Sequence, residues 1–171
     1  MAIGSNVVTQ ITISVDDFDK AVENWAAVLG MEKPQTIHFP GPDKVPNFTN
    51  DELTDCSDIK IATFVLPNVR IELIKSGKNK NAFSEDVAKD GYGLHDLCFI
   101  VPDRHAANEC LQGLGVPKPY HIGYWPKVTY AFVDSRKQLG VKLNIKTQGE
   151  DNAEHQKEVL ADREAHKKDF E

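Results

Sequence analysis

Two stretches of the chain that lie far apart carry the same alternation of apolar and polar positions: Ile11, Ile13 and Val15 in one, Leu97, Phe99 and Val101 in the other. A period of two sorts side chains onto the two faces of a strand. Each strand runs into an acidic residue, Asp17 or Asp103, and then into a helical pattern. Both helical patterns stop at glycine, Gly30 or Gly115, where a left-handed cap is commonly needed. "QITISVDDFDKAVENWAAVLGM", from Gln10, can be laid on "DLCFIVPDRHAANECLQGLGV", from Asp96, with one deletion in the helix. Such self-similarity marks a repeated unit.

Strand-like segments follow each glycine: "QTIHF", "IKIATFVL" and "VRIELIK" in the first half, "YHIGYW", "VTYAFVD" and "VKLNIKT" in the second. Each half therefore reads as strand, helix and three strands, an α+β arrangement of two βαβββ modules over 7–75 and 93–147. The polar segment 76–92, with a short helical stretch, reads as their linker, and "PGPDKVPNFTNDELTD" as a long loop. Trp25, at helical spacing with Val22 and Leu29, is expected in the core. Residues 148–171, rich in Glu, Lys and Ala, read as an exposed charged helix outside the 1–147 domain, with His155 and His166 solvated.

Composition narrows the class. With 171 residues, 40% hydrophobic and 27% charged, the chain suits one domain. No apolar run approaches the roughly 20 residues of a membrane span, and no secretory signal is visible, so a cytoplasmic protein is expected. A net charge of −6 without a basic stripe disfavours nucleic acid and anionic membrane as partners and favours a small molecule. Cys56, Cys98 and Cys110 form no close pair and are expected to be reduced core residues.

The paired modules, the "LG" and "LGV" helix ends, "RIELI" and "LGVKLNI" together resemble the vicinal oxygen chelate superfamily over residues 7–147. That superfamily includes glyoxalase I, methylmalonyl-CoA epimerase, extradiol dioxygenases and bleomycin resistance proteins. "NWAAVLGM", "YAFVDSRKQLGVKLNI" and the long first-half loop look most like the methylmalonyl-CoA epimerase branch. The resemblance implies a cup-shaped mixed β-sheet with helices outside. It also implies a divalent metal held by one inward residue from the first and last strand of each module, here Gln10, Glu72, Asp96 and Asn144. The family more often has His at the positions of Gln10 and Asp96, and Glu at that of Asn144.

Replacing imidazole by carboxylate and amide oxygen suits magnesium, manganese, cobalt or calcium better than zinc. The competing reading is that the metal is lost and the four polar side chains hydrogen-bond one another. Strand alternation turns Asp96 into the cup and His95 away, while a bulge at Gly91 or Gly93 would bring His95 in as an alternative nitrogen ligand. The implied chemistry is removal of a proton beside a carbonyl of a small-molecule substrate, with Glu72 or Asp96 as base and the enolate held by metal or polar donors. Asn144 can donate to an oxyanion, and His121 is a further acid/base candidate. His38, Trp125 and Tyr130 are expected to touch substrate.

These expectations describe a racemase or epimerase of a carbon acid. A metal-free binding protein of the bleomycin-resistance kind and a glyoxalase-like lyase are the alternatives. An extradiol dioxygenase fits poorly, because the aligned positions supply no His. A homodimer is expected, since strand exchange between subunits is common in proteins resembling this one.

Overall fold

In the computed structural model, which describes residues 2–148 and 153–170 (the side chains of Ala153, Arg163, His166, Lys168 and Phe170 excepted), the two alternating strands lie side by side. Strand β1 (Val8–Ser14) runs antiparallel to the strand Gly93–Ile100 that opens the second module. Each turns its apolar residues outward and its polar residues inward. Helix α1 (Phe18–Leu29) is capped by the Asp17 side chain, which accepts from the backbone of Lys20, and ends at Gly30 with φ 63°. It buries Phe18, Val22 and Ala26 on Ile11, Ile13, Ala62, Phe64, Ile71 and Leu73, with Trp25 at the margin of this cluster.

The first module continues through β2 (Ile37–His38), β3 (Asn47–Thr49), β4 (Glu52–Leu53), β5 (Lys60–Val65) and β6 (Arg70–Lys75). Helix α2 (Ala82–Asp90) follows, and the second module runs β7 (Gly93–Ile100), α3 (Arg104–Gly113), β8 (His121–Trp125), β9 (Val128–Val133), α4 (Arg136–Leu139) and β10 (Leu143–Gln148). Helix α3 repeats the device of α1. Asp103 accepts from the backbone of Ala106, and Ala107 and Leu111 pack on Leu97, Phe99, Val133, Leu143 and Ile145.

All ten strands form one sheet in the order β2-β5-β6-β1-β7-β10-β9-β8-β3-β4. It curls until its two sides meet. Phe39, just past β2, lies with its ring 5.3 Å from that of Trp125 on β8. The segment read as a loop supplies part of that closure, because β3 and β4 form a hairpin that leaves the first module and pairs with β8 of the second. Its turn is Asn50-Asp51, with φ of 49° and 67°, a two-residue turn with both residues left-handed.

The linker is also more than a tether. Asn81 caps α2 through the backbone of Phe83 and Ser84. The helix then inserts Phe83 among Phe39, His95, His121 and Phe132, with ring centroids 5.3 to 5.9 Å away. The inside of the cup is plugged from that end.

The charged tail departs from expectation. Helix α5 (Ala153–Ala161) and a 3₁₀ segment (Arg163–Phe170) bury Val159 and Ala165 on Phe48, Ile122, Tyr124 and Ala131, the outer face of the β9-β8-β3 side. His155 is half-buried rather than solvated, with Nε2 2.8 Å from Asp169 Oδ2, and Arg104 Nη2 lies 3.1 Å from Asp169 Oδ1. A few apolar contacts and a shared carboxylate outweigh the tail's polar composition. The side chain of His166 lies outside the described residues. No helix among the described residues is long and apolar enough to cross a membrane.

Candidate functional site

The inner face of the sheet is written by register. Thr12 on β1 stands opposite Glu72 on β6 and opposite Asp96 on β7, while Gln10 stands opposite Arg70 and Cys98. On the other side, Asn144 on β10 is paired with Cys98 and with Phe132, and Lys146 with Tyr130. Alternation thus turns Gln10 and Thr12, Arg70 and Glu72, and Asn144 and Lys146 to the same inner face. They surround a cavity of about 190 Å³ whose apolar wall includes Ile37, Phe39, Trp125 and Tyr130. Its volume lies below the roughly 300–1,000 Å³ of drug-sized pockets, so it admits a compact group.

One hydrogen-bonded chain crosses its floor. The Gln10 amide donates to Glu72 Oε1 at 2.8 Å and to Thr12 Oγ1 at 3.1 Å, and the Thr12 hydroxyl donates to Asp96 Oδ1 at 3.1 Å. Lys146 Nζ donates to Gln10 Oε1 at 3.2 Å, and Thr63 donates to Glu72 Oε2 at 3.4 Å. Burial raises the Glu72 carboxyl above the usual range, against the lowering pull of Lys146. A carboxyl so placed can act as a base.

His95 enters the site by a route the alternation rule misses. Opposite β1, Thr12 pairs with Asp96 and Ile13 with Leu94, so His95 is the extra residue of a bulge. The bulge sits at His95 itself rather than at a neighbouring glycine. It leaves two consecutive side chains buried. Nδ1 lies 2.7 Å from Asp96 Oδ2 and Nε2 lies 2.9 Å from Asp86 Oδ2 on α2. Although burial alone would discharge the ring, the two carboxylates push its pKa up to about 9, so it is an imidazolium at neutrality. Asp86 is completed by Lys142 Nζ at 2.8 Å and the Tyr120 hydroxyl at 2.7 Å.

His121 stands differently. Its Nδ1 is 2.9 Å from Thr49 Oγ1, its Nε2 is 3.1 Å from the Tyr130 hydroxyl, and its ring stacks on Phe132. Tyr130 in turn donates to Asn47 Oδ1 at 2.7 Å. Burial pushes the His121 pKa down to about 3, so the ring is neutral. It lies behind Tyr130 and does not line the cavity. His38 is exposed on the edge strand β2, where its neighbour Ile37 takes the cavity side. Of the residues expected to touch substrate, Trp125, Tyr130 and Asn144 line the cavity and His38 does not.

The four residues expected to hold a metal, Gln10, Glu72, Asp96 and Asn144, all line this cavity. Their surroundings do not fit a divalent ion. The Asp96 oxygens are taken by His95 and Thr12, Glu72 accepts from Gln10 and Thr63, and the Gln10 oxygen accepts from Lys146. Of the four residues, Asn144 alone has a buried oxygen, Oδ1, without a hydrogen-bond partner, and one neutral oxygen is no cage. The linked charges are already paired, Asp96 and Asp86 with His95, Asp86 with Lys142, and Glu72 with Lys146 through Gln10, and Arg70 adds a further cation to the lining. A divalent ion added there would be an uncompensated buried charge. His95, the alternative ligand, has Nδ1 bonded to Asp96 and Nε2 2.9 Å from the Asp86 carboxylate, and carries a positive charge. No group of three His, Cys, Asp or Glu suited to a metal occurs among the described residues.

Lys146, Thr12, Arg70 and Phe83 were not singled out from the sequence. The first three were within reach of period two, each standing two positions from a singled-out residue: Lys146 from Asn144, Thr12 from Gln10, Arg70 from Glu72. Phe83 had no such signal, since it comes from the linker.

The description glyoxalase/bleomycin resistance protein/dioxygenase superfamily matches residues 9–117. No curated protein matches. Among solved structures, a hypothetical protein from Bacillus halodurans C-125 is 19% identical, with a TM-score of 0.58 over 85% of this chain and 96% of that one. Methylmalonyl-CoA epimerase from Mycobacterium tuberculosis is 19% identical, with a TM-score of 0.53 over 85% and 93%. A Streptomyces coelicolor methylmalonyl-CoA epimerase variant in complex with 2-nitronate-propionyl-CoA is 18% identical, with a TM-score of 0.57 over 86% and 98%. Likeness at this identity establishes the fold alone.

Proposed function

We propose, for a chain that belongs to the glyoxalase/bleomycin resistance protein/dioxygenase superfamily, that the cup isomerises a small carbonyl compound by moving the hydrogen on the carbon beside its carbonyl, with Glu72 and Asp96 as the acid/base groups. One observation carries the reading: the two carboxylates face one cavity in register, on the strands either side of Thr12. Two strand spacings set their Cα positions about 10 Å apart, so a planar group seated over the Gln10-Thr12 bridge meets both.

Glu72 takes the proton, and the electron pair of the broken C–H bond moves into the carbonyl to give an enolate. A proton returns to the opposite face through Asp96, a carboxylate that takes it from the His95 imidazolium across their 2.7 Å contact as it passes it on. The cycle closes when Glu72 releases its proton to solvent and His95 regains one. No other reactant is consumed. The neighbouring epimerases support thioesters as substrates, with the carbonyl end in the cavity and the remainder outside.

The test is exchange of the α-hydrogen with deuterium oxide, followed by NMR over a panel of small keto acids, hydroxy ketones and acyl thioesters. Exchange with at least one class is expected, falling about 10²-fold or more in Glu72→Gln with little change in melting temperature. An unaltered rate in Glu72→Gln, or no exchange across the panel together with protection of the fold by one of its members, would make this a binding protein.

A further inference from the structure

We infer that Lys146 is the resident cation of the cavity, its ammonium meeting the ligand's carbonyl or carboxylate oxygen in the place where a divalent ion was expected. The ligand class follows: a compact anion, or a carbonyl compound whose oxygen becomes anionic during reaction. As to substrate, this rests on the isomerase reading above. As to the cation, it stands on the geometry alone.

Three observations carry it. Lys146 stands two residues beyond Asn144 on β10, so the pleat turns its side chain to the inner face, and it lines the cavity. Its Nζ lies 3.2 Å from Gln10 Oε1, the oxygen that would otherwise be offered to a metal. That bond uses one of three ammonium donors and fixes the charge beside Glu72. The charge is also needed: the lining holds two carboxylates, Glu72 and Asp96, and without Lys146 only Arg70 among the lining residues would oppose them. Arg70 adds a second cation to the lining, opposite Gln10, while Ile37, Phe39, Trp125 and Val128 make the facing wall apolar. A small anion with an apolar portion matches both sides.

An ammonium and a metal do the same electrostatic work on an enolate oxygen, lowering the energy of the charge that develops there. They differ in what removes them. A chelator strips a metal from the site, whereas the lysine is covalent.

Oxalate is a suitable probe, being a planar dianion with the shape of an enediolate. Its binding is measured by calorimetry and by melting in excess EDTA, for wild type, Lys146→Met and Lys146→Arg, alongside manganese titrations of wild type and Lys146→Glu. Oxalate is expected to bind wild type in EDTA, about tenfold or more weaker to Lys146→Met and intermediately to Lys146→Arg. Manganese is expected to bind only Lys146→Glu. Stoichiometric manganese binding by wild type, or oxalate binding that requires manganese or ignores Lys146→Met, overturns the inference. Should Lys146→Met fail to fold, the Lys146→Arg and wild-type manganese arms still decide it. Exchange abolished by EDTA but untouched by Lys146→Met would sink the inference and leave the isomerase. Lysine-dependent oxalate binding without exchange on any carbonyl would do the reverse.

Discussion

His95 and His121 lie inside the same cup, 5% and 0% exposed, and their rings share two aromatic neighbours, Phe83 and Phe132. Yet one is held charged and the other neutral. Burial acts on both in the same direction, against the charged ring, so partners decide the outcome. His95 stands between Asp86 and Asp96, whereas His121 stands between two hydroxyls, Thr49 and Tyr130. Depth therefore does not say what a histidine is doing. The identity of the second atom across each ring nitrogen does.

The comparison breaks most sharply at Asp86, which joins α2 to β7 through His95 and to the residue before β10 through Lys142. Replacing it by Ala leaves the buried imidazolium with one carboxylate and takes from Lys142 a partner that only Asp90, 2.7 Å away, then supplies. Breaking a buried pair from one side costs about 3–5 kcal/mol, and because α2 also carries Phe83, the loss should reach the plug of the cup. Urea unfolding of Asp86→Ala at neutral pH measures it. A loss below about 1 kcal/mol would mean that the pair contributes little.

The next largest effect is the pH dependence of stability, in which the two histidines act in opposite windows. The folded pKa of His95 is raised, from 6.5 to about 9, so its contribution is fully present below pH 6.5 and is lost as pH rises through 9. The folded pKa of His121 is lowered, from 6.5 to about 3, so its contribution is present above 6.5 and is lost as pH falls towards 3. Each arm amounts to a few kcal/mol, which puts the maximum near the shared unfolded value. His95→Gln should flatten the alkaline arm alone. A urea midpoint with the same alkaline slope in wild type and variant would contradict the charged ring.

The contrast also marks what the sequence could reveal. The α+β class and the inward turn of Gln10, Glu72, Asp96 and Asn144 were legible, because each depends on a period of two or on a capped helix repeated in both halves. What stayed hidden depends on single departures from period or on long-range packing. A bulge at Gly91 or Gly93 was an open alternative, but its actual place at His95, and the pairing of that ring with Asp86 and Asp96, were not readable. The Asn50-Asp51 turn made a hairpin out of a Pro- and Asn-rich stretch, and the helix in the linker supplied Asp86 and Phe83. The polar surroundings of the four aligned positions were less legible, because the cations beside them, Lys146 and His95, are neighbours of those positions rather than the positions themselves.

His121→Phe should show the smallest effect at neutral pH, and its sign changes with acid. The phenyl ring keeps the stack on Phe132, while the two hydroxyls that lose the imidazole retain other partners: Thr49 lies 3.2 Å from the Thr54 hydroxyl, and Tyr130 still donates to Asn47. The cost at pH 7 is therefore about 1 kcal/mol, the net worth of a hydrogen bond whose partners are not orphaned. In acid the wild type carries a burden that the variant lacks, since its unfolded chain gains a proton on residue 121 that the folded ring refuses. At about pH 4.5 that difference amounts to about 2–3 kcal/mol, more than the hydrogen bond, so the variant should be the more stable protein there. Stability curves that cross between pH 7 and 4.5, with α-hydrogen exchange unchanged at pH 7, identify His121 as a neutral strut behind Tyr130. Curves that stay parallel would require a charged ring, and a loss of exchange would return it to the chemistry.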